Sequence, residues 1–217
     1  MRFKALILAS VLFIAAPVFA ADAPPTIPVA ATVHDPAKMP GGLYTLDGNH
    51  AHALFFINHL GFSEYTGGFN DISGELVFKP GHLTDSKVNV TIKADSIAVQ
   101  SEMLTEHLKG ADFFDTEQYP EIKFVSDALV QTGKNKGTLT GDLTMHGVTK
   151  PVALDVRFLG GGIMPMKNVQ TMGFIATGHL KRSDFGINSY LPGVGDDVIL
   201  DISAEFNKAD TSPREKP

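Results

Sequence analysis

Side chains that alternate residue by residue between apolar and polar recur along this chain, and that period of two fixes it as a sheet protein. Val88, Val90, Ile92 and Ala94 point one way, against Asn89, Thr91 and Lys93. Leu139, Gly141, Leu143 and Met145 oppose Thr138, Thr140, Asp142 and Thr144. Val152, Leu154, Val156 and Phe158 form a third set, and Val198, Leu200, Ile202, Ala204 and Phe206 a fourth. Weaker alternation marks Ala51 to His59, Phe69 to Phe78, Ile122 to Val130 and Met172 to Lys181, which makes eight strands. The links between them are mostly short, as in His146-Gly147-Val148-Thr149-Lys150 before Pro151. Short links suit antiparallel neighbours, because parallel pairs need crossover helices. Eight antiparallel strands remove their exposed edges by closing, so the expected fold is all-β, an eight-stranded antiparallel barrel.

One stretch breaks the pattern. Between Ser96 and Tyr119, Met103, Leu104, His107 and Leu108 recur at helical spacing, with Ser101 placed to cap the start and Gly110 the end. This predicts one short helix capping an end of the barrel. The segment from Glu102 to Asp115, carrying Leu104, Leu108, Phe113 and Phe114, would act there as a lid or as a fixed plug.

The flanks read differently. Arg2 and Lys4 precede an apolar run from Ala5 to Ala16, and Pro17-Val18-Phe19-Ala20 offers a cleavage site, so residues 1–20 are expected to be a secretory signal peptide and the protein to reach the periplasm. The run is too short before its proline for a spanning helix. Residues 21–42, with Pro24, Pro25, Pro28, Pro36 and Pro40, are expected to form a flexible leader, residues 43–206 the barrel, and residues 207–217 a polar tail.

Composition narrows the chemistry. The net charge is −6 and becomes more negative once Arg2 and Lys4 are removed, which disfavours nucleic acid and a polybasic membrane patch. Without cysteine there is no disulfide, thiolate metal site or thiol nucleophile. No G-x-S-x-G elbow or phosphate-binding glycine loop occurs, and Gly160-Gly161-Gly162 reads as a turn. His50-x-His52 could place two imidazoles on one strand face for a metal, but reads better as polar groups at a strand entrance. The expectation is therefore no catalytic residues, no metal and no cofactor.

Four ordered segments carry a resemblance. The first runs from Tyr44-Thr45-Leu46-Asp47 through His50, Phe55, Ile57 and His59-Leu60-Gly61 to Gly68-Phe69 and Ser73-Gly74. The second is His107-Leu108-Lys109 with Asp112-Phe113-Phe114-Asp115 and Tyr119-Pro120-Glu121-Ile122-Lys123-Phe124. Gly141-Asp142-Leu143-Thr144-Met145-His146-Gly147-Val148-Thr149-Lys150-Pro151-Val152 is the third. Gly173-Phe174, Arg182-Ser183-Asp184-Phe185-Gly186 and Gly195-Asp196-Asp197-Val198 make the fourth. Together they resemble the YceI-like family of polyisoprenoid-binding, lipocalin-like proteins over roughly residues 44–206. The resemblance implies a lipocalin-like barrel holding a polyisoprenoid, of the isoprenoid quinone or polyprenyl type, in an apolar tunnel for transport, storage or sequestration. This sequence has Ala51 where the family often has Ser, and Thr105 near a family acidic position.

Strand parity supports such a tunnel, although parity alone equally describes a barrel filled by its own side chains. The inward set offers Phe55, Ile57, Val88, Val90, Ile92 and Phe124, and further along Leu143, Met145, Leu154 and Phe174. Small residues among them, including Ala51, Ala53, Gly141, Ala176, Gly178 and Ala204, would leave room for a ligand. Phe69 and Phe185, from the first and fourth segments, and Leu108 and Phe113, from the lid, complete the expected apolar lining. Arg182 and Asp184 would pair at the rim or hold a headgroup, and His59 would be an interior histidine or meet that head. Leu54 and Phe56 make the outer face of the first strand apolar, which predicts a homodimer contact there or cover by the leader. Two other readings use the same pattern: a small outer-membrane barrel, and a metal- or haem-linked periplasmic stress protein.

Overall fold

The computed structural model describes residues 30–209. Its strands are β1 (Gly42–His59), β2 (Ser63–Phe69), β3 (Ile72–Phe78), β4 (Lys87–Lys93) and β5 (Ile97–Ala98). After the helix α1 (Glu102–Lys109) come β6 (Glu121–Gly133), β7 (Lys136–Met145), β8 (Val148–Met164), β9 (Val169–Lys181) and β10 (Val194–Lys208). The sheet runs β1-β3-β4-β6-β7-β8-β9-β10, and β10 pairs back onto β1, which closes a ring of eight positions. All of these pairings are antiparallel. β2 and β5 lengthen that wall. The first part of β1 pairs with β3 from Gly42↔Phe78 to Thr45↔Glu75, and its last part pairs with β2 from Ala53↔Phe69 to His59↔Ser63. β5 continues the third position through Gly68↔Ala98 and Phe69↔Ile97.

Each of the eight alternating runs falls on a strand, although Phe69 to Phe78 spans the end of β2, a turn and β3, and Ala94 lies in a 3₁₀ turn just past β4; β1 begins nine residues before its predicted start. The cause is an irregularity. Leu46 faces Phe206 and Ala51 faces Ala204, so residues 47–50 bulge out of the ladder. Tyr44 and Leu46 are buried ahead of the bulge, whereas Ala51, Ala53 and Phe55 carry the inward parity after it. The switch of parity hides the early half of the strand from a period-two search.

Asp47 organises the bulge. Its Oδ2 accepts from Lys167 Nζ at 2.7 Å and Asn207 Nδ2 at 3.0 Å, with His50 Nδ1 at 3.2 Å, while Oδ1 accepts the Asn49 amide at 3.2 Å. Lys167, helped by His50, Asn207 and Asn49, outweighs the opposing effect of burial and holds the carboxyl well below the usual carboxylate range. A depressed folded-state pKa adds stability that is complete above the unfolded value of about 3.9 and is lost as pH falls below it. Asp47→Asn is therefore expected to destabilise the barrel by about 2 kcal/mol near neutrality. Thermal melts should show the gap between variant and parent closing as the pH drops below about 4. A gap that stays constant with pH would rule out the carboxylate charge as its source.

The interior divides into two apolar clusters at opposite ends. Tyr44, Phe78, Phe158, Met172 and Phe206 gather at one end with Met39. Phe69, Ile97, Ile122, Phe185 and Ile187 gather at the other, where α1 lies. Both ends of the described chain leave from the Tyr44 end, because the Ala209 amide donates to Leu43 O at 2.9 Å.

The flanking assignments need correction where they are described. Residues 30–41 do not form a flexible leader: Val33 bridges Gly161, His34 Nδ1 bonds Leu159 O at 2.7 Å, Pro36 is buried and Met39 is 3% exposed. Gly160 to Gly162, expected as a turn, belong to β8, and they admit this strap by presenting bare backbone. A Cβ at Gly160 would strike Thr32 Cγ2, and one at Gly161 would strike Met39 Cε. Asn207 and Lys208, assigned to the tail, are the last residues of β10. The predicted signal peptide, residues 21–29 of the leader and residues 210–217 of the tail lie outside the described residues.

Candidate ligand-binding cavity

The buried residues of the two clusters are separate, with Ile92 on the wall packed against both. Between them runs a cavity of about 290 Å³ walled almost wholly by carbon, bounded toward one end by Leu46, Phe78, Phe158 and Phe206 and toward the other by Met145, Val152 and Leu180. On β10 the wall extends from Leu200 to Phe206. With a rise of about 3.3 Å per residue and a tilt near 40°, that corresponds to a passage roughly 15 Å long.

Alanines create the space. Ala51 pairs with Ala204 across β1 and β10, Ala53 pairs with Ile202, and Ile202 pairs with Ala176 of β9, so a band of short side chains crosses three adjacent strands and lines the void. Two of the expected small positions do the opposite. A Cβ on Gly141 would meet the Phe124 ring at 2.7 Å, and one on Gly178 would meet Leu154 Cδ2 at 2.6 Å, so neighbouring side chains already occupy those gaps.

Of the residues assigned to the lining, Phe55, Phe69, Val88, Val90 and Ile92 border the cavity, as do Phe124, Leu143, Met145, Leu154 and Phe174. The others lie elsewhere. Ile57 is half-buried beyond the lined section, paired with Tyr65 and Val198. His59 is exposed at the end of β1, beside the Tyr65 ring, and is not interior. Leu108 and Phe113 pack into the cluster that closes the α1 end rather than against the void. That closure is aromatic: Phe69 meets Phe114 edge-on at 5.5 Å between centroids, and Phe113 stacks on Tyr190 at 6.0 Å. α1 has the predicted limits, with Ser101 Oγ accepting the Leu104 amide at 3.3 Å and Gly110 at its end. Thr105, at the atypical position, accepts the Val99 amide through Oγ1 at 3.2 Å.

Arg182 and Asp184 do not form a headgroup site. Residues 182–185 make a 3₁₀ turn, so strand parity does not apply to them. Arg182 is 5% exposed and donates from Nε to Gly195 O at 2.7 Å, from Nη1 to Ile187 O at 3.0 Å and from Nη2 to Val194 O at 3.0 Å. Burial lowers its pKa. Asp184 is exposed, and the acidic partner in this region is Asp196, which accepts the Ser183 amide at 2.9 Å and its hydroxyl at 2.8 Å. The Ser183 amide leads the influences that depress the Asp196 pKa. Phe185, 1% exposed, is fixed beneath this clasp, its carbonyl 3.0 Å from His146 Nδ1, and does not border the cavity.

Sequence parity missed Leu46, Leu76 and Phe78, which border the void ahead of the bulge and on β3, and Leu83 in the following turn. Among the described residues no three His, Asp or Glu side chains converge to hold a metal ion, and His50 is engaged with Asp47. On the outer face of β1, Leu54 and Phe56 are half-buried, and the Leu54 side chain lies over Gly68. The described part of the N-terminal strap lies on β8 and does not cover them.

A closed antiparallel barrel of eight strand positions around an apolar passage is the class that this geometry defines. The YceI-like domain matches residues 44–206, and the chain belongs to that family. A UPF0312 protein of Pseudomonas putida strain GB-1 is 41% identical over 160 residues, 73% of this chain and 82% of the relative. BcnA of Burkholderia cenocepacia shares the fold with a TM-score of 0.67 at 24% identity, over 74% of this chain and 98% of that one. A polyisoprenoid binding domain from Saccharophagus degradans, implicated in plant cell wall breakdown, shares it with a TM-score of 0.57 at 14% identity, over 76% and 98% of the two chains.

Proposed function

We propose that this protein is an exported, periplasmic binding protein that holds a polyisoprenoid lipid in its axial passage, for transport, storage or sequestration, without chemical turnover. The observation that carries this reading is the continuous carbon-walled void from Phe206 to Met145. A barrel of this size can fill itself with side chains, and the alanine band across β1, β10 and β9 is what prevents it here. Each methylene buried from water contributes about 0.8 kcal/mol, so a prenyl tail supplies ample drive even after the cost of ordering it. The polyisoprenoid-binding neighbour of the same fold supports that choice of tail.

The polarity of the wall disfavours the outer-membrane alternative. Lys93, Asp142 and Asp201 are exposed on the outside while the interior is apolar, the reverse of a barrel that faces lipid outward. Organic extraction of the purified protein, made in a host rich in prenyl lipids, is expected to release a prenyl lipid at close to one per chain by mass spectrometry. Recovery of none, with the empty protein also failing to take up added prenyl lipid, would defeat the proposal.

A further inference from the structure

A segment outside the matched domain touches the passage. Residues 30–41 precede the family match at residue 44, and they run from the edge of β8 across the Tyr44 end of the barrel to the start of β1. That end has a ragged rim. Pairing of β7 with β8 stops at Lys136↔Arg157 while β8 continues to Met164, and β4 leaves β6 at Asn89↔Val125 while β6 continues to Gly133. The strap takes up the free edge of β8 through Val33, whose amide donates to Gly161 O at 2.7 Å and whose carbonyl accepts from Gly161 N at 3.0 Å.

Within the strap, Pro36 forms a partition. It is buried and borders the apolar passage, whereas its neighbours Asp35 and Ala37 line a second, polar cavity of about 410 Å³. Leu83, Gln131 and Lys134 border both spaces, so the two adjoin here. A segment with open space on either side has few atoms packed against it, and its hold depends on its ends. Those ends are held unequally. Downstream, Met39 is 3% exposed in the Tyr44 cluster, and the Tyr44 hydroxyl donates to Pro40 O at 2.6 Å. Upstream, Thr32, Val33 and His34 are exposed, and the attachments are the Val33 pair, His34 Nδ1 with Leu159 O at 2.7 Å, and Asp35 with Lys134 at 3.4 Å. With Lys134 76% exposed, that last pair is weak. Exposed backbone bonds backed by little apolar burial are the first to open locally. The opposite end is closed instead by the rings of Phe69, Phe113, Phe114 and Tyr190.

From this arrangement we infer that the strap is the gate of the passage. Residues 30–36 swing off β8 about the Met39 anchor, Pro36 withdraws, and a lipid tail passes between the polar cavity and the apolar one. This rests on the lipid-binding reading and adds to it the route and the moving part. A gate sets the barrier that uptake and release share, so it changes both rates and leaves their ratio alone.

The chain has no cysteine, so a single reversible lock can be introduced. A Cβ on Gly160 would fall against Thr32 Cγ2, and Thr32→Cys with Gly160→Cys therefore puts two sulfurs within bonding reach. Uptake of geranylgeranyl anthranilate, a neutral fluorescent prenyl ester, and its displacement by excess geranylgeraniol are followed by stopped flow on delipidated protein. In the oxidised lock both rates are expected to fall about tenfold or more, with the dissociation constant within about twofold of the parent's, and reductant should restore exchange. Val33→Pro with His34→Ala removes a backbone donor and an imidazole from the exposed end, and should raise both rates about tenfold in a barrel that still folds. Tyr190→Ala, at the aromatic end, should leave them unchanged. Rates that ignore the lock, that stay at the parent's value in the loosened variant, or that rise in Tyr190→Ala instead overturn the gate and leave the lipid-binding reading standing. A parent that takes up no probe overturns both.

Discussion

Replacing Ala53 and Ala204 together by phenylalanine is expected to weaken binding of a prenyl chain about 100-fold while leaving the barrel folded. Both alanines line the void, on neighbouring strands, and no side chain fills the space that they leave. Two rings placed there occupy volume that a tail would otherwise use. Excluding roughly four methylenes at about 0.8 kcal/mol each removes about 3 kcal/mol, or two decades of affinity. Because the rings enter open space and gain dispersion contacts, the melting temperature should hold or rise, unlike the response of a tightly packed core to enlargement. Displacement titration read beside a thermal melt separates the two effects. Undiminished affinity in a folded variant would mean that the tail does not follow the β1–β10 wall.

The other large effect is expected at Arg182. Arg182→Met keeps much of the side-chain volume but strips the Gly195, Ile187 and Val194 carbonyls of their donor. Leaving such groups buried and unpaired costs about 1–3 kcal/mol each, partly relieved by water. A net loss of about 4 kcal/mol should lower the melting temperature by about 10 °C in a domain of this size. Arg182→Lys, able to reach fewer of the three, should fall between. A shift under about 2 °C for the Met variant would show that the turn from Arg182 to Val194 holds its shape without the clasp.

Local pattern carried much of this architecture. Alternation located all eight wall positions because each strand buries one face, and capping residues bounded α1 because Ser101 accepts the Leu104 amide and Gly110 ends the helix, with extended rather than left-handed backbone. Nine of the lining residues follow from the same parity rule, applied to uninterrupted runs such as Val88 to Ile92, and Phe69 comes from the first family-like segment. The failures have equally local causes. Four bulged residues reset the phase of β1, so Tyr44 and Leu46 fell out of step with Phe55. Arg182 and Asp184 are two residues apart in a 3₁₀ turn, so their spacing does not bring them together as a pair at the rim. Three consecutive glycines resemble a turn until the strap that packs on them is known. That β6 outruns β4 past Val125 is a matter of long-range register that no window of sequence contains.

The shared rim from which both described chain ends depart has a practical corollary. A Cβ on Gly41 would strike Pro80 and Leu43 bonds Ala209, so the described chain enters and leaves at the Tyr44 end of the barrel, remote from the aromatic closure. A support coupled at Ala30 or Ala209 would therefore lie against that end, and ligand exchange measured on such a surface would report crowding at that threshold. Free-solution assays, or attachment through the flank of the cylinder, leave that threshold clear.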